Sequence, residues 1–238
     1  MANYVLIHAA WHTGAELQPV ASLIQAAGHD VHTPTLKGNR PGDPKTAGLS
    51  EAIGSIVDYL EDTGINDVIL VGHSYGGMVI TGVADRVPRR IRRLVYWAAY
   101  VPNDGESILD MSPPHHVAAM KALAAERSDG AIVLPFQFWR EAFINDADLE
   151  TAQKTYDMLN PHPLQTFSDK ISLTTNPADM TIGKSYINCT EDTAISHGHP
   201  QHSGKLGLFR LIQIPGSHEV CFTHPERIAR AIIEAGRD

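Results

Sequence analysis

Short apolar runs alternate along the chain with segments whose apolar residues recur at helical spacing. Runs of roughly four to eight apolar or β-branched residues predict strands, and a near-continuous run is typical of a strand covered on both faces. Six such runs occupy residues 4–7, 30–33, 67–71, 91–98, 185–189 and 208–214. The segments between them predict helices at residues 16–27, 49–60, 76–87 and 225–235. This alternation predicts an α/β fold with a mainly parallel six-stranded sheet and helices on both faces.

The alternation of strands and helices is interrupted once, between residues 101 and 180. This stretch holds helical segments near residues 117–126 and 149–159, together with a group of aromatic residues, Phe136, Phe138, Trp139 and Phe143. We therefore expect a single domain over residues 1–238. Its core would comprise residues 1–100 and 181–238, and residues 101–180 would form a mostly helical cap.

The composition is that of a folded globular protein. Of 238 residues, 43% are hydrophobic and 19% are charged, which excludes a disordered chain or a coiled coil. The formal charge of −8 argues against nucleic acid or an anionic membrane as a partner, because both bind basic surfaces. No run reaches the roughly 18–20 apolar residues of a membrane span, and no basic leader precedes the first strand. With only two cysteines, the chain is expected to be cytoplasmic with reduced thiols. A monomer and a homodimer both remain open.

One motif carries the chemistry. The strand predicted at residues 67–71 runs into Gly72-His73-Ser74-Tyr75-Gly76, and a predicted helix follows. The pattern G-x-S-x-G between a strand and a helix is typical of a nucleophile elbow, a sharp turn that presents a serine above the sheet. Amide N–H groups at the helix N-terminus can bind a developing oxyanion. The motif predicts Ser74 as the nucleophile and the backbone N–H of Tyr75 as an oxyanion donor.

A serine nucleophile requires a base, and the base requires an acid that orients it. On elbows of this kind the acid and then the histidine follow the serine along the chain. Asp192 and Glu191 come after the strand at residues 185–189, and His218 comes after the last predicted strand. Loops at the carboxyl ends of parallel strands build ligand sites. We predict His218 as the base, favour Asp192 over Glu191 as the acid, and place a second oxyanion donor at Ala10.

Four segments carry a family resemblance: His8-Ala9-Ala10-Trp11-His12, Gly72-His73-Ser74-Tyr75-Gly76-Gly77, Cys189-Thr190-Glu191-Asp192 and Gly216-Ser217-His218. Together they resemble the α/β-hydrolase group of plant methylesterases and hydroxynitrile lyases, and most of all the bacterial esterase relatives of that group. The resemblance extends over nearly the whole chain. It implies a triad of Ser74, Asp192 and His218, with Ala10 and Tyr75 as oxyanion donors. It also implies a serine hydrolase that cleaves a small carboxylic ester through an acyl-enzyme and needs no cofactor or metal.

Two positions depart from the pattern of that group. Its esterases usually carry glycine where this chain has Ala9, whose Cβ restricts the loop. Its (S)-selective lyases carry a hydroxyl residue there and a lysine after the catalytic histidine, where this chain has Glu219. A lyase of that kind stabilises departing cyanide with the cation, so Glu219 weighs against it. The alternatives kept open are a carbamate or lactone hydrolase with the same triad, a hydroxynitrile lyase, and a ligand-binding receptor on a hydrolase scaffold.

The substrate pocket is expected between the loop after the first strand and the cap. Pockets are lined mainly by apolar and aromatic side chains. On that basis the predicted lining is Ala9, Trp11, His12, Phe138, Trp139 and Phe143. Beside this pocket, His8, His12 and His73 are expected to shape the loops around the site.

A rival hypothesis rests on three other histidines. His197, His199 and His202 have the spacing of a metallohydrolase loop, and imidazoles are good zinc ligands. The neighbouring carboxylate and the second cluster of such a site are missing, so a solvated loop without a metal is expected. The pair His115-His116 is expected to be exposed on the cap.

Overall fold

Parallel strands build the main sheet of the computed structural model, which describes residues 1–195 and 199–238. Its six strands lie in the order β2-β1-β3-β4-β7-β8, and each pairs in parallel with its neighbours. A small antiparallel sheet pairs β5 with β6. The strands are β1 (Asn3–Ile7), β2 (Asp30–His32), β3 (Val68–His73), β4 (Ile91–Trp97), β5 (Ala131–Ile132), β6 (His162–Pro163), β7 (Gly183–Cys189) and β8 (Arg210–Ile214).

Helices connect the strands and fill the region between β4 and β7. They are α1 (Gln18–Ala26), α2 (Leu49–Thr63), α3 (Gly76–Arg86), α4 (Ile108–Met111), α5 (Pro114–Ala125), α6 (Phe136–Phe138), α7 (Leu149–Tyr156), α8 (Gln165–Ser168), α9 (His199–Ser203), α10 (Val220–Thr223) and α11 (Pro225–Ala235). A π-helical turn, Trp139–Phe143, follows α6. None of the helices in the described part of the chain is long and apolar enough to cross a bilayer.

The sheet is buried on both faces. Because successive side chains of a strand point to opposite faces, β1 contributes to two cores. Its Tyr4 and Leu6 pack in the core that α1 and α11 complete, whereas Val5 and Ile7 pack in the core that α2 and α3 complete. This double coverage explains why inner strands such as β1 and β3 are apolar runs, whereas the edge strand β8 alternates between buried and exposed residues.

The predicted α/β fold, with six parallel strands and helices on both faces, is confirmed, and the differences lie at element ends and in the cap. Strand β3 continues through Gly72 and His73, which pair with Tyr96 and Trp97 of β4. Strand β8 begins later than predicted, because Gly207 turns the chain with φ 66°. The two-residue strands β5 and β6 were not predicted. They pair across about thirty residues, and no local sequence pattern reports such a contact.

We expect the central strand to dominate the stability of the fold. Leu70 lies in β3 with no exposed surface, so Leu70→Ala should lower the free energy of unfolding by about 2–5 kcal/mol. Leu208 is 92% exposed, and Leu208→Ala should change it by no more than about 0.5 kcal/mol. Urea unfolding followed by circular dichroism measures both. Equal losses in the two variants would contradict this account of the core.

Candidate active site

Ser74 stands on a strained turn between β3 and α3. Its backbone has φ 55°, a left-handed conformation that is rare for a residue with a Cβ. The turn is tied to the next strand and its loop, since Ser74 N donates to Trp97 O at 3.1 Å and Tyr100 N donates to Ser74 O at 3.1 Å. Tyr75 is the N-cap of α3, where amide N–H groups lack intrahelical partners. The turn therefore presents a serine hydroxyl beside free amide donors.

Close backbone contacts surround this turn. A Cβ at Gly72 would lie 2.6 Å from the carbonyl oxygen of Gly76, and a Cβ at Gly77 would lie 2.1 Å from that of Tyr100. Both distances are far below van der Waals contact. Glycine is thus required for strand and helix to approach closely enough to form the turn.

His218 and Asp192 meet in the loops after β8 and β7. His218 Nδ1 donates to Asp192 Oδ2 at 2.8 Å, and Asp192 Oδ1 accepts from the amides of Ala194 and Ile195. Burial would lower the pKa of His218, but the Asp192 charge and hydrogen bond outweigh it and raise the pKa. Burial would raise the pKa of Asp192, and His218 and the amides lower it instead. The competing acid Glu191 is exposed and does not meet the imidazole.

The hydrogen bond to Asp192 uses one imidazole nitrogen of His218 and leaves the other, Nε2, available. Within residues 1–195 and 199–238, no hydrogen-bond partner reaches His218 Nε2, although the ring is fully buried. Ser74 and His218 line the same cavity, together with Ala10 and Tyr75. A histidine held by a carboxylate at Nδ1, with Nε2 free beside a serine, can accept the proton of that serine. Such serine–histidine contacts often tighten only when substrate binds.

The loop after β1, residues 8–12, is held in an unusual conformation; we call it the oxyanion loop. The left-handed residue is Trp11, with φ 65°, rather than Ala9. The cap supports it at three points: Trp11 N donates to His162 Nδ1 (3.4 Å), Trp11 Nε1 donates to Ile132 O (3.1 Å), and Asn160 N donates to Trp11 O (2.7 Å). The cap therefore fixes the loop that carries Ala10.

Three buried histidines support the site as neutral rings. His8 Nδ1 donates to Ala9 O while His8 Nε2 accepts from Leu36 N, and burial lowers the pKa of His8 to about 3. His73 Nε2 donates to the carbonyl oxygen of His218 at 3.0 Å, and burial lowers its pKa to about 3 as well. Burial likewise lowers the pKa of His162. Uncharged imidazoles can serve as fixed donors and acceptors in a buried site.

A cavity opens above Ser74 between the core and the cap, with about 550 Å³ of empty space when the part open to solvent is included. Its walls are mostly apolar and aromatic, and no lysine or arginine lines it among the residues that the structure describes. The lining is Ala10, Trp11, Ser74, Tyr75, Tyr100, Ile108, Leu109, Ser112, His116, Val117, Met120, Phe138, Phe143, Phe167, Ala194, Ile195 and His218. The cavity is suited to an uncharged, largely apolar ligand.

Of the six predicted pocket residues, the structure places Trp11, Phe138 and Phe143 on the cavity wall and the other three elsewhere. Ala9 and His12 line a smaller cavity on the opposite side of the oxyanion loop. Trp139 is fully buried inside the cap, where its Nε1 donates to Ala152 O and Thr155 Oγ1. The structure therefore does not place Ala9, His12 and Trp139 on the wall of the Ser74 cavity.

Some residues that support or line the site were not predicted from the sequence. His162 and Asn160 support the oxyanion loop from about 150 residues away, and no local pattern signals that contact. His116 was expected to be exposed, but it lies on the cavity wall, because α5 crosses over the cavity. This Ala-rich helix has no clear amphipathic pattern, so its sequence did not signal which side faces the cavity.

The histidine loop falls partly outside the described residues, since His197 does. The expectation of a solvated loop is wrong for His202, which is fully buried with its ring against Tyr100. Within the described ranges, the one group of three candidate metal ligands is His73, His218 and Glu219. These side chains already bond to protein partners, so the grouping alone does not indicate a metal site.

A parallel sheet that presents a serine on a strand–helix turn, beside a histidine held by a carboxylate, has the architecture of an α/β-hydrolase. The chain belongs to the alpha/beta hydrolase family, whose model matches residues 4–231. The predicted family is thereby confirmed.

Two of the relatives within the family are named as esterases. A carbendazim hydrolyzing esterase of a Nocardioides species is 47% identical over 118 residues, a match that covers 48% of this chain and 48% of that esterase. Methylesterase 7 of Arabidopsis thaliana is 30% identical over 264 aligned positions, covering 98% of this chain and 95% of that protein. The relatives support an enzyme of the carboxylic ester hydrolase class.

A solved structure agrees over the full length. It is an extracellular α/β-hydrolase from a Paenibacillus species, described as sharing structural and functional homology with tobacco salicylic acid binding protein 2. It is 36% identical, with a TM-score of 0.96 and complete coverage of both chains. Because that relative is extracellular, the cytoplasmic location of the present chain stays a prediction.

The glycine requirement at the turn can be tested directly. Gly77→Ala should destabilise the fold by about 1–3 kcal/mol, because its Cβ would collide with the Tyr100 carbonyl and with Ala99. Gly204→Ala is the control, since no heavy atom lies within 4 Å of its added Cβ. Thermal unfolding compares the two. A Gly77→Ala protein as stable as the control would contradict the close approach.

Proposed function

We propose that this chain is a serine hydrolase that cleaves a small carboxylic ester through an acyl-enzyme. The observation that carries the proposal is the hydrogen bond of 2.8 Å between His218 Nδ1 and Asp192, which leaves Nε2 free in the cavity of Ser74. In the proposed reaction His218 Nε2 takes the proton of Ser74 as Oγ attacks the ester carbonyl carbon.

The tetrahedral intermediate that follows carries a negative oxygen. The backbone N–H groups of Ala10 and Tyr75 are proposed to bind it, since both residues line the cavity beside Ser74. His218 then gives its proton to the departing alkoxide, and the carbonyl remains bonded to Ser74 Oγ. Water, deprotonated by His218, attacks this acyl-enzyme, releases the acid and restores the serine. Asp192 holds the imidazole in the required tautomer throughout.

The cavity supports an uncharged ester as substrate. Its walls are aromatic and aliphatic, and a carboxylate bound there would lose its hydration without meeting a cation. Carbamates and lactones pass through a similar tetrahedral intermediate and are the alternative substrates. A hydroxynitrile lyase that relies on a cation next to the histidine is disfavoured, since Glu219 occupies that position and lies outside the cavity.

Removal of the nucleophile is the first test. Ser74→Ala should lower the hydrolysis of a short-chain aryl ester by about 10⁴-fold or more while the protein stays folded. The assay is a parallel panel of esters, carbamates, lactones and cyanohydrins on both proteins. Ser168→Ala, an exposed serine on the cap, is the control and should retain full activity.

The panel also separates the alternatives. Activity retained by Ser74→Ala would overturn the proposed nucleophile. Cyanide release with no ester cleavage would favour the lyase, and tight binding without turnover in the intact protein would favour a receptor.

The pH dependence follows from the His218 environment. Because the pKa of His218 is raised above 6.5 and only neutral imidazole accepts the proton, kcat/KM should rise with pH through a midpoint above 6.5. Asp192→Asn removes the charge that favours the imidazolium, so the pKa of His218 should fall. NMR titration of the His218 ring measures this directly. An unchanged pKa in Asp192→Asn would show that Asp192 does not act on the imidazole.

A further inference from the structure

A buried carboxylate lies directly behind the proposed base. Glu219 follows His218 and is 1% exposed, yet it does not line the cavity of Ser74. It lines a small, tightly packed space together with His8, Ala9 and His12 of the oxyanion loop. There Glu219 Oε1 lies 3.2 Å from His12 Nε2, and Glu219 Oε2 accepts from Cys221 Sγ at 3.6 Å. A carboxylate buried away from water keeps its charge only if neighbouring polar or charged groups stabilise it.

The partner belongs to the other half of the site. His12 is the last residue of the oxyanion loop and is 3% exposed. Its ring packs against those of Trp139 and Phe222, whose centroids each lie 5.7 Å from that of the imidazole and 6.4 Å from one another. The carbonyl oxygen of His12 accepts from Asn39 Nδ2. Packing against the two aromatic rings restrains the imidazole on that flank. The contact between His12 and Glu219 therefore connects the loop that carries Ala10 with the loop that carries His218.

Glu219 also contributes charge. Burial would raise its pKa, but the histidines around it, with His12 foremost, outweigh burial and lower the pKa to about 2. Glu219 is therefore ionised at neutral pH, and its negative charge favours the imidazolium of His218. The titratable groups that face these two residues come from every side of the site: His8, His12, Glu16, His73, Asp146, Cys189, Asp192 and Cys221.

We propose that the His12–Glu219 pair is a positioning device, which holds the oxyanion loop against the histidine loop and keeps a negative charge behind the base. The inference rests on the proposed serine hydrolase function. The pair acts through Ala10 and His218 and touches no substrate. Because a buried carboxylate without its partner is strongly disfavoured, the two loops stay at the distance that keeps the pair intact.

The test is Glu219→Gln in the full chain, assayed with a short-chain aryl ester. Activity is measured across the acidic limb of the pH profile, the range in which kcat/KM rises with pH. The amide keeps the size and an acceptor but loses the charge. We expect kcat to fall roughly 10- to 100-fold through misplacement of the loops, with little change in KM. We also expect the acidic limb to move to lower pH, because the lost charge had stabilised the imidazolium. Glu61→Gln, at an exposed position of α2, should match wild type in all three quantities.

His12→Gln breaks the same pair from the other loop and serves if Glu219→Gln does not fold. It should also lower kcat with little change in KM. The double variant should lose little more than the worse single variant, since the two residues act as a unit.

Three results would overturn the inference. The first is a Glu219→Gln protein with wild-type kcat and an acidic limb at the wild-type pH. The second is a loss of activity that is fully explained by a smaller amount of folded protein. The third is a double variant whose loss of activity is the full sum of the two single losses. Ser74→Ala, assayed beside these variants, distinguishes failure of the positioning role from failure of the proposed serine hydrolase function. If Ser74→Ala is inactive while Glu219→Gln behaves as wild type, only the positioning role fails. If Ser74→Ala is active, the proposed function itself fails.

Discussion

Ser74 occupies a left-handed backbone conformation that a serine adopts only where its surroundings impose it, and the rest of the site is arranged around that turn. The constraint comes from β3, paired on both sides in the middle of the sheet, and from α3, which leaves no room for a Cβ at Gly72 against its first turn or at Gly77 against the loop after β4. The packing of β3 and α3 thereby offsets the conformational strain at Ser74. The strained turn leaves the hydroxyl in the cavity and the amides of the helix N-terminus unpaired beside it.

The buried polar groups fall into two classes with different physics. His8, His73 and His162 are neutral rings that give and accept hydrogen bonds, because burial disfavours the charged form and, among the described residues, their hydrogen-bond partners are not carboxylates. His218 is different, since Asp192 stands in direct contact and raises its pKa. Histidine thus serves as a fixed hydrogen-bonding group at positions 8, 73 and 162, and as the proposed proton acceptor at position 218. The neighbouring carboxylate, more than burial itself, makes the difference.

The cap gives the family fold its particular cavity. Its helices α4 and α5 supply apolar residues above Ser74, and its short strands support the oxyanion loop through Trp11. Membership of the alpha/beta hydrolase family accounts for the sheet and the elbow. The selection of an uncharged ester is proposed to come from the cap, because the cap contributes most of the walls that exclude water.

The sequence alone determined the alternation of strands and helices, the elbow and the residues Ser74, Asp192 and His218 as candidates, because these depend on local periodicity and on short motifs in a fixed order. It could not choose between Asp192 and Glu191 on physical grounds, since adjacent residues in a loop differ only in where their side chains point. Nor could it place His162 behind the oxyanion loop or turn Glu219 away from the cavity. Those arrangements depend on contacts between segments 150 to 200 residues apart, which only the folded chain brings within hydrogen-bond distance.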